Sequence, residues 1–585
     1  MNKLELTWIG KDEPVKIEPR ILIEDTSRSY GDKDTENMII HGDNLLALKA
    51  LEENYSNSVK CMYLDPPYNT GNAFEYYDDG LEHSIWLGLM RERLKILYRL
   101  LSPEGTMWIQ IDDDEQAYLK VLCDEVFGRD NFVNMVSVNM KNIAGASGGG
   151  EDKRMKKNCE YILVYAKNYS LMPLFNGPYE YTDMYQLVLE YRENKKNWHY
   201  TSVLVNAGEK VQFGSTFDGD GNEIKLYRRD GVVVKSVRQV MADEKISEKE
   251  VYYKYGQCIF EAKDGQSSIR KRVIEAKNKY GINDDIISIE YIPKTGKNRG
   301  RLYEQFYKGD KCRLFAWLKD ISEIIDGVLY KKTLQGTYWD FTSHINNLTK
   351  EGQVIFPNGK KPEKLVSQIL SMTTSPGDLV FDSFLGSGTT AAVAHKMGRK
   401  YIGVEFGNQA YTHCCPRLKR VIDGEDNGGI TISEKWEGGG GFKFYELAPS
   451  LLQKDTHGQM VINKEYNANM LAAAMAKHEG FSYEPSSDCY WKQGRSTEND
   501  YIYTTTQFLT KQSLDKIHEE MGEEESLLIC CTAFQKECNS AYSNITIKKI
   551  PKMLLGRCEF DKDNYKLNIF TLPEMDDCED EPNED

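Results

Sequence analysis

Val59-Lys60-Cys61-Met62-Tyr63-Leu64 runs directly into Asp65-Pro66-Pro67-Tyr68-Asn69. The first six residues read as a buried strand, a short apolar run bounded by a turn signal. The tetrad after it puts a carboxylate and an aromatic ring at the carboxyl end of that strand, where open α/β sheets bind ligands. The prolines fix the backbone and remove two N–H donors, so the turn presents carbonyl acceptors. An exocyclic amine on an aromatic base needs this arrangement. Its lone pair is delocalised into the ring, and acceptors on both N–H groups localise it for in-line attack on a methyl group. Asp65 and the Pro66 carbonyl are the expected acceptors, and Tyr68 offers a face on which a flipped base can stack. The alternative is an ordinary Pro-rich turn ending a strand. D-P-P-Y arises by chance in such a chain on the order of a few times in a thousand, so its surroundings decide.

Upstream, Met38-Ile39-Ile40 reads as a strand ending at His41-Gly42-Asp43-Asn44 and aims a second carboxylate at the same edge. Asp43 serves there as a helix N-cap ahead of Leu45 to Leu51, as a ligand contact, or as both. Downstream, Leu87, Met90, Leu94, Leu97 and Leu101 recur at helical spacing. Pro103 and Gly105 stop that helix, and Thr106 to Ile111 begins another strand. A second α/β block lies between Glu363 and Val421: a helix from Glu363 to Met372, a strand at Asp378 to Phe381, a Gly-rich turn, a helix at Thr389 to Met397 and a strand at Tyr401 to Val404. Neither block completes a doubly wound sheet alone. The simplest solution is one α/β sheet assembled from both, interrupted by an inserted domain.

The Gly-rich turn is Phe381-Asp382-Ser383-Phe384-Leu385-Gly386-Ser387-Gly388-Thr389-Thr390. Its glycines let the backbone approach a ligand, and the helix N-terminus after it, with Ser387 and Thr389, can hold a carboxylate. Glu405 ends the next strand, the place where an acid binds ribose hydroxyls in nucleoside-binding sheets. No G-K-[ST] follows, which argues against Walker phosphate chemistry.

Between the blocks, roughly Asn168 to Leu348, the composition changes to many tyrosines, scattered cations and turn signals such as Asp218-Gly219-Asp220-Gly221 and Arg229-Asp230-Gly231. This reads as a separate, partly β module. Arg270-Lys271-Arg272 and Lys297, Arg299 and Arg301 interleave with rings such as Tyr303 and Phe306, which suits phosphates and bases, although a solvated charged face explains any one of them equally well. Gly145 to Gly150 with Lys153, Arg154, Lys156 and Lys157 reads as a basic loop near the tetrad or as a linker.

The sequence of GDN, DPPY and F-x-G-x-G, with the Gly turn after the tetrad, resembles the β-class amino-methyltransferases. The similarity is greatest to the modification subunits of type III restriction systems. Asp65-Pro-Pro-Tyr-Asn-Thr-Gly71, Glu160 to Asn168, Lys361-Pro362-Glu363-Lys364-Leu365 and Gly439 to Tyr445 carry it, over residues 1 to about 450. The resemblance implies an S-adenosyl-L-methionine-dependent methyltransferase (Rossmann-like) sheet built from residues 1–167, the catalytic half, and 349–437, the cofactor half. It also implies a target-recognition domain at 168–348 and a C-terminal dimerisation or partner domain at 438–585. The implied cofactor contacts are Asp43, Lys364, Phe381, Asp382, Phe384, Gly386, Gly388, Thr389 and Glu405. The implied reaction is methylation of adenine N6 in double-stranded DNA, because members carrying D-P-P-Y typically act on adenine. Cytosine N4 methylation and a stand-alone enzyme without a restriction partner are the alternatives. The implied partners are a second copy of the chain and a separate helicase-nuclease subunit. The family's Asn-Pro-Lys-Pro approach to the Gly block is replaced here by Phe356-Pro-Asn-Gly-Lys-Lys-Pro362, which unsettles individual contacts there.

Composition sets limits on these expectations. A net charge of -16 opposes indiscriminate coating of DNA and leaves only local basic surfaces for it. The 13 cysteines lack C-x-x-C spacing, so they read as reduced core residues, with no metal site. No long apolar segment or leader pattern is present, which points to a cytoplasmic protein with no membrane association. Acidic residues crowd into 574–585, a run expected to stay solvated.

Overall fold

In the strand Val59–Leu64 every residue but Lys60 is buried, because helices cover both faces of the sheet to which it belongs. The computed structural model describes residues 5–8, 11–12, 15–69, 83–141, 157–177, 179–265, 268–293, 298–345, 348–356 and 359–561. The elements that build the sheet are β1 (Leu22–Glu24), β2 (Met38–His41), α1 (Asn44–Tyr55), β3 (Val59–Leu64), α2 (His83–Leu100), β4 (Leu101–Ile111), α3 (Gln116–Phe127), β5 (Phe132–Asn139), β6 (Cys159–Ala166), β7 (Tyr338–Asp340), α4 (Glu363–Thr373), β8 (Leu379–Asp382), α5 (Thr389–Lys396), β9 (Lys400–Glu405), α6 (Cys415–Ile422) and β10 (Gly441–Leu447).

The strands lie in the order β1-β10-β2-β9-β8-β3-β4-β6-β5-β7. From β10 to β4 every neighbour is parallel. β6 is antiparallel to both β4 and β5. Strands from the two chain segments interleave, and one of the junctions between them is β8 beside β3, with Val380 opposite Cys61 and Phe381 opposite Met62.

Period-two alternation divides the side chains between two cores. Cys61, Tyr63 and Trp108 face α4, α5 and α6 with Leu365, Ile369, Ala391 and Leu418. Met62, Leu64, Met107 and Ile109 face α1, α2 and α3 with Leu46, Met90, Leu94, Leu97 and Leu119. Burial of each such large apolar side chain contributes about 1.5–3 kcal/mol.

Three boundaries differ from the sequence reading. β4 begins at Leu101, not Thr106: Leu101 pairs with Val59 and Thr106 with Cys61, so residues 102–105 bulge without ending the strand. Gly105 is required there, since a Cβ would lie 2.7 Å from the Val59 carbonyl. The inserted compact unit runs from Gly177 to Gln335 and not from 168 to 348, because β7 returns to the central sheet beside β5. Gly441–Leu447, expected in the C-terminal domain, likewise belongs to the central sheet, as β10 lies between β1 and β2.

The inserted unit has an eight-stranded antiparallel sheet and a three-stranded sheet. The signal at 218–221 forms the hairpin between Glu209–Phe217 and Glu223–Asp230, and Gly231, at φ 75°, turns the chain toward Val233–Ser236. In the C-terminal region, Asp500–Thr505, Ser526–Cys531 and Ile545–Lys549 form the parallel part of a five-stranded sheet. This region belongs to the same compact unit as the central sheet, and it is tied to the N-terminal segment by Glu18, which accepts from Ser450 Oγ and Leu451 N, and by Lys477 Nζ, which donates to the Ala50 carbonyl. The described cysteines form no disulfide, and no helix among the described residues is long and apolar enough to cross a membrane.

Leu94 on α2 is wholly buried in the second core. Leu94→Ala is expected to cost about 2–5 kcal/mol of unfolding free energy, read as a lower denaturant midpoint at unchanged slope; a loss under ~1 kcal/mol contradicts the packing described.

Candidate active site

Parallel strands deliver their carboxyl ends to one edge. There β3 passes into Asp65–Tyr68, β8 into the Gly turn, β9 into Glu405 and β2 into Asp43. The tetrad is braced from several sides. The Trp86 indole N–H donates to the Pro67 carbonyl at 2.9 Å. The Tyr68 hydroxyl lies 2.9 Å from both Asp65 Oδ1 and Glu160 Oε2. Gln110 donates to Glu160 at 2.5 Å and accepts from the Tyr63 hydroxyl at 2.5 Å. Lys361 Nζ, from the second chain segment, is 2.8 Å from Asp65 Oδ2 and 3.8 Å from Glu160 Oε2. Burial pushes the Asp65 carboxyl up against the pull of Lys361. Glu160 is also opposed by burial, yet Lys361, Gln110 and Tyr68 hold it below the ordinary carboxylate range. The ammonium stays charged, because its two carboxylate neighbours outweigh its burial.

Asn69, at φ 60°, donates to Glu115 Oε1 at 2.7 Å, and His83 Nδ1 lies 2.8 Å from the same oxygen. One buried carboxylate therefore joins the two residues that flank positions 70–82.

The Gly turn folds around two acids. Asp382 accepts from Phe384 N and from Thr390 Oγ1 at 2.6 Å. Burial, with Asp65 and Glu405 nearby, pushes it up to about 7. Glu405 accepts from Gly386 N at 2.7 Å and from Gly407 N at 3.0 Å, so the acid expected to meet ribose hydroxyls holds the turn in this arrangement. Gly388, at φ 79°, is the N-cap of α5, and a Cβ there would lie 3.3 Å from the Cys414 Cα. Behind the turn, Arg417 donates to Thr389 Oγ1 at 2.8 Å and pairs with Glu363, which also pairs with Lys396, itself bound to Asp426. All four of these ionic side chains are wholly buried.

The structure brings Asp65, Pro66, Tyr68, Asp382, Phe384, Gly386, Gly388, Thr389 and Glu405 to this edge, with Phe381 buried in β8 beneath it. Asp43 is the N-cap of α1, accepting from Leu45 N and Leu46 N, and lies 3.4 Å from Arg93. Lys364 is exposed on the first turn of α4, and the neighbouring lysine, Lys361, is the one that reaches the tetrad. The missed signal was Pro362, the N-cap of α4: the residue before it turns inward while Lys364 lies two positions into the helix. Glu160 and Gln110 were missed because their partners are brought near by strand pairing. Asp112, Asp113 and Asp114, the acidic group whose oxygens converge among the described residues, surround Lys157 Nζ.

In the inserted unit, Arg270 pairs with Asp264 and donates to the Lys311 and Cys312 carbonyls, and Arg272 donates to the Phe217 and Asp218 carbonyls. Both brace loops. Lys271, Arg299 and Arg301 are exposed. Lys297, the 145–156 loop and the acidic run at 574–585 lie outside the described residues.

The residues at the edge fit the nucleoside sulfonium cofactor implied above. Ser383 Oγ, after Asp382, and both amide atoms of Gln409, after Glu405, are buried without a partner, at a cost for each such group of about 1–3 kcal/mol that a polar ligand would offset. A Cβ at Gly386 would meet nothing nearer than 3.9 Å, which leaves the turn open to close approach.

Residues 59–414 match the family model N6_N4_Mtase, DNA methylase. Over 415 residues the chain is 44% identical to the probable type III restriction-modification enzyme HindVI Mod subunit of Haemophilus influenzae, covering 71% of this chain and 54% of that relative. It thus spans about half of that protein's length. It is 27% identical to the EcoP15I Mod subunit of Escherichia coli, over 77% of this chain and 72% of the relative. It is 28% identical to the EcoPI Mod subunit of Escherichia phage P1, over 68% and 62%.

The raised Asp382 carboxyl has a pH signature. The folded protein keeps a proton there that the unfolded chain releases near pH 4, so this contribution is full below that pH and is lost as pH rises through about 7. Asp382→Asn removes it. Denaturant unfolding at pH 5 and pH 8 should show the variant gaining stability relative to wild type at the higher pH; an equal difference at both contradicts the assignment.

Proposed function

Because the chain belongs to the N6_N4_Mtase family of DNA methylases, we propose that it transfers a methyl group from S-adenosyl-L-methionine to N6 of adenine in double-stranded DNA, as the modification subunit of a type III restriction-modification system. The observation that carries this reading is the Asp65–Tyr68 tetrad at the same sheet edge as the Gly turn, its carboxylate braced by Lys361 and its ring by Glu160. The relatives' Mod designations support the type III assignment.

The target base leaves the duplex and stacks on Tyr68, whose hydroxyl contacts fix the ring plane. One N6–H donates to Asp65 and the other to the Pro66 carbonyl. The cofactor, when bound, would supply an activated methyl on a sulfonium to N6. The Asp65 carboxylate would take the surplus N6 proton. Ser383, Gln409, Glu405 and the backbone of the Gly turn would hold the nucleoside end of the cofactor. Exposed Lys271, Arg299 and Arg301 supply phosphate contacts from the inserted unit. Two copies of the chain act together, and a helicase-nuclease subunit joins them for restriction.

Incubating the protein with DNA and labelled cofactor, then identifying the digested nucleosides by mass, tests the reading. The expected product is N6-methyladenine. N4-methylcytosine overturns the base, and no methylated nucleoside on varied duplexes overturns the activity.

A further inference from the structure

We propose that Lys361 is the positioning residue that holds Asp65 as an acceptor and ties the tetrad to the Gly turn, so that the site's two chain segments act as one unit. This rests on the methyl-transfer reading above.

Lys361 is fixed at both ends. Its carbonyl accepts from Thr389 Oγ1 at 3.3 Å, and Thr389 is held in turn by Arg417. Pro362, with φ near -64°, caps α4 immediately after it and restricts where its side chain can start. The side chain is 8% exposed and ends 2.8 Å from Asp65 Oδ2, with its ammonium 5.0 Å from the centre of the Tyr68 ring. A single residue thus touches the catalytic turn with its side chain and the cofactor turn with its backbone.

Charge makes this contact necessary. Among the described residues, Asp65 is faced by Glu160 from β6, by Asp382 at the end of β8, by the phenols of Tyr63 and Tyr68 and by the cation Lys361, while Lys141 acts on Glu160. Burial and the two acids all favour a protonated Asp65. A protonated carboxyl spends one oxygen as a donor and loses the acceptor that N6–H needs. Lys361 opposes that protonation. Each carboxylate oxygen has two lone-pair sites, so the Tyr68 hydroxyl on Oδ1 and the ammonium on Oδ2 leave room for the substrate amine. The ammonium is a compact charge with three donors, which suits a position between two carboxylates at 2.8 and 3.8 Å better than a planar fork would.

The test compares wild type, Lys361→Met and Lys361→Arg, measuring methyl transfer at saturating DNA and cofactor from pH 5.5 to 9 and cofactor affinity by calorimetry. Lys361→Met should bind cofactor within about threefold of wild type, lose about tenfold or more in kcat, and move the acid limb of its pH profile up by roughly one unit or more, since an unpaired Asp65 holds its proton to higher pH. Lys361→Arg should recover part of both losses, and it carries the pH comparison if the Met variant does not fold. A slower variant whose acid limb stays in place overturns the proposal, as does a loss confined to cofactor affinity. Absence of product from wild type at every pH instead overturns the methyl-transfer reading itself.

Discussion

The parallel pairing of β8 with β3 is the constraint on which the rest depends. Val380 opposite Cys61 and Phe381 opposite Met62 fix where both strands end, and those ends carry the Gly turn and the Asp65 tetrad. A slip of one residue in β3 would turn Cys61 and Tyr63 into the core now filled by Met62 and Leu64, and one in β8 would exchange the faces of Val380 and Phe381. The two cores are lined by different helices, so the register is set by packing on both faces. The relative position of the chemical groups follows from that register and requires no special geometry at the edge itself.

Charge is handled inside the protein in two ways. Glu363, Lys396, Asp426 and Arg417 form a dry network in which every member has an opposite partner. Such a network gives little net stability, but removing one partner would leave a buried charge uncompensated, so it fixes α4, α5 and α6 around the Gly turn. At the edge the balance is less complete. Asp65 and Glu160 share Lys361, Lys141 also acts on Glu160, and Asp382 rises to about 7. A buried carboxyl short of countercharge tends to hold its proton, as Asp382 does, and the Lys361 ammonium opposes this at Asp65, favouring a form that accepts hydrogen bonds.

Much of this was legible in the sequence because it is local. Val59 to Leu64, the α2 repeat of Leu87, Met90, Leu94 and Leu97, and the Thr389 to Met397 helix are written as unbroken apolar runs or helical periodicity, and each occurs within a residue or two of its expected limits. The assembly of one sheet from two segments followed from each block being incomplete. Pairing between distant strands was not legible. Nothing local in Tyr338–Asp340 announces that it joins β5, and nothing in Gly441–Leu447 announces a place between β1 and β2, so both were assigned to neighbouring domains. The roles of Lys361 and Glu160 were hidden for the same reason: each is defined by what the sheet brings beside it. Arg270 and Arg272 resembled a basic patch, yet carbonyls from adjoining loops, which only the folded unit brings close, occupy their guanidinium groups.

The central claim is that Asp65 acts on the reacting amine while the Gly turn independently holds the cofactor. Measuring cofactor affinity and methyl transfer in the same preparation of Asp65→Ala tests it most directly. The account predicts affinity within a few-fold of wild type and transfer reduced to background. Transfer retained near the wild-type rate would contradict it, and would move the chemistry away from this turn.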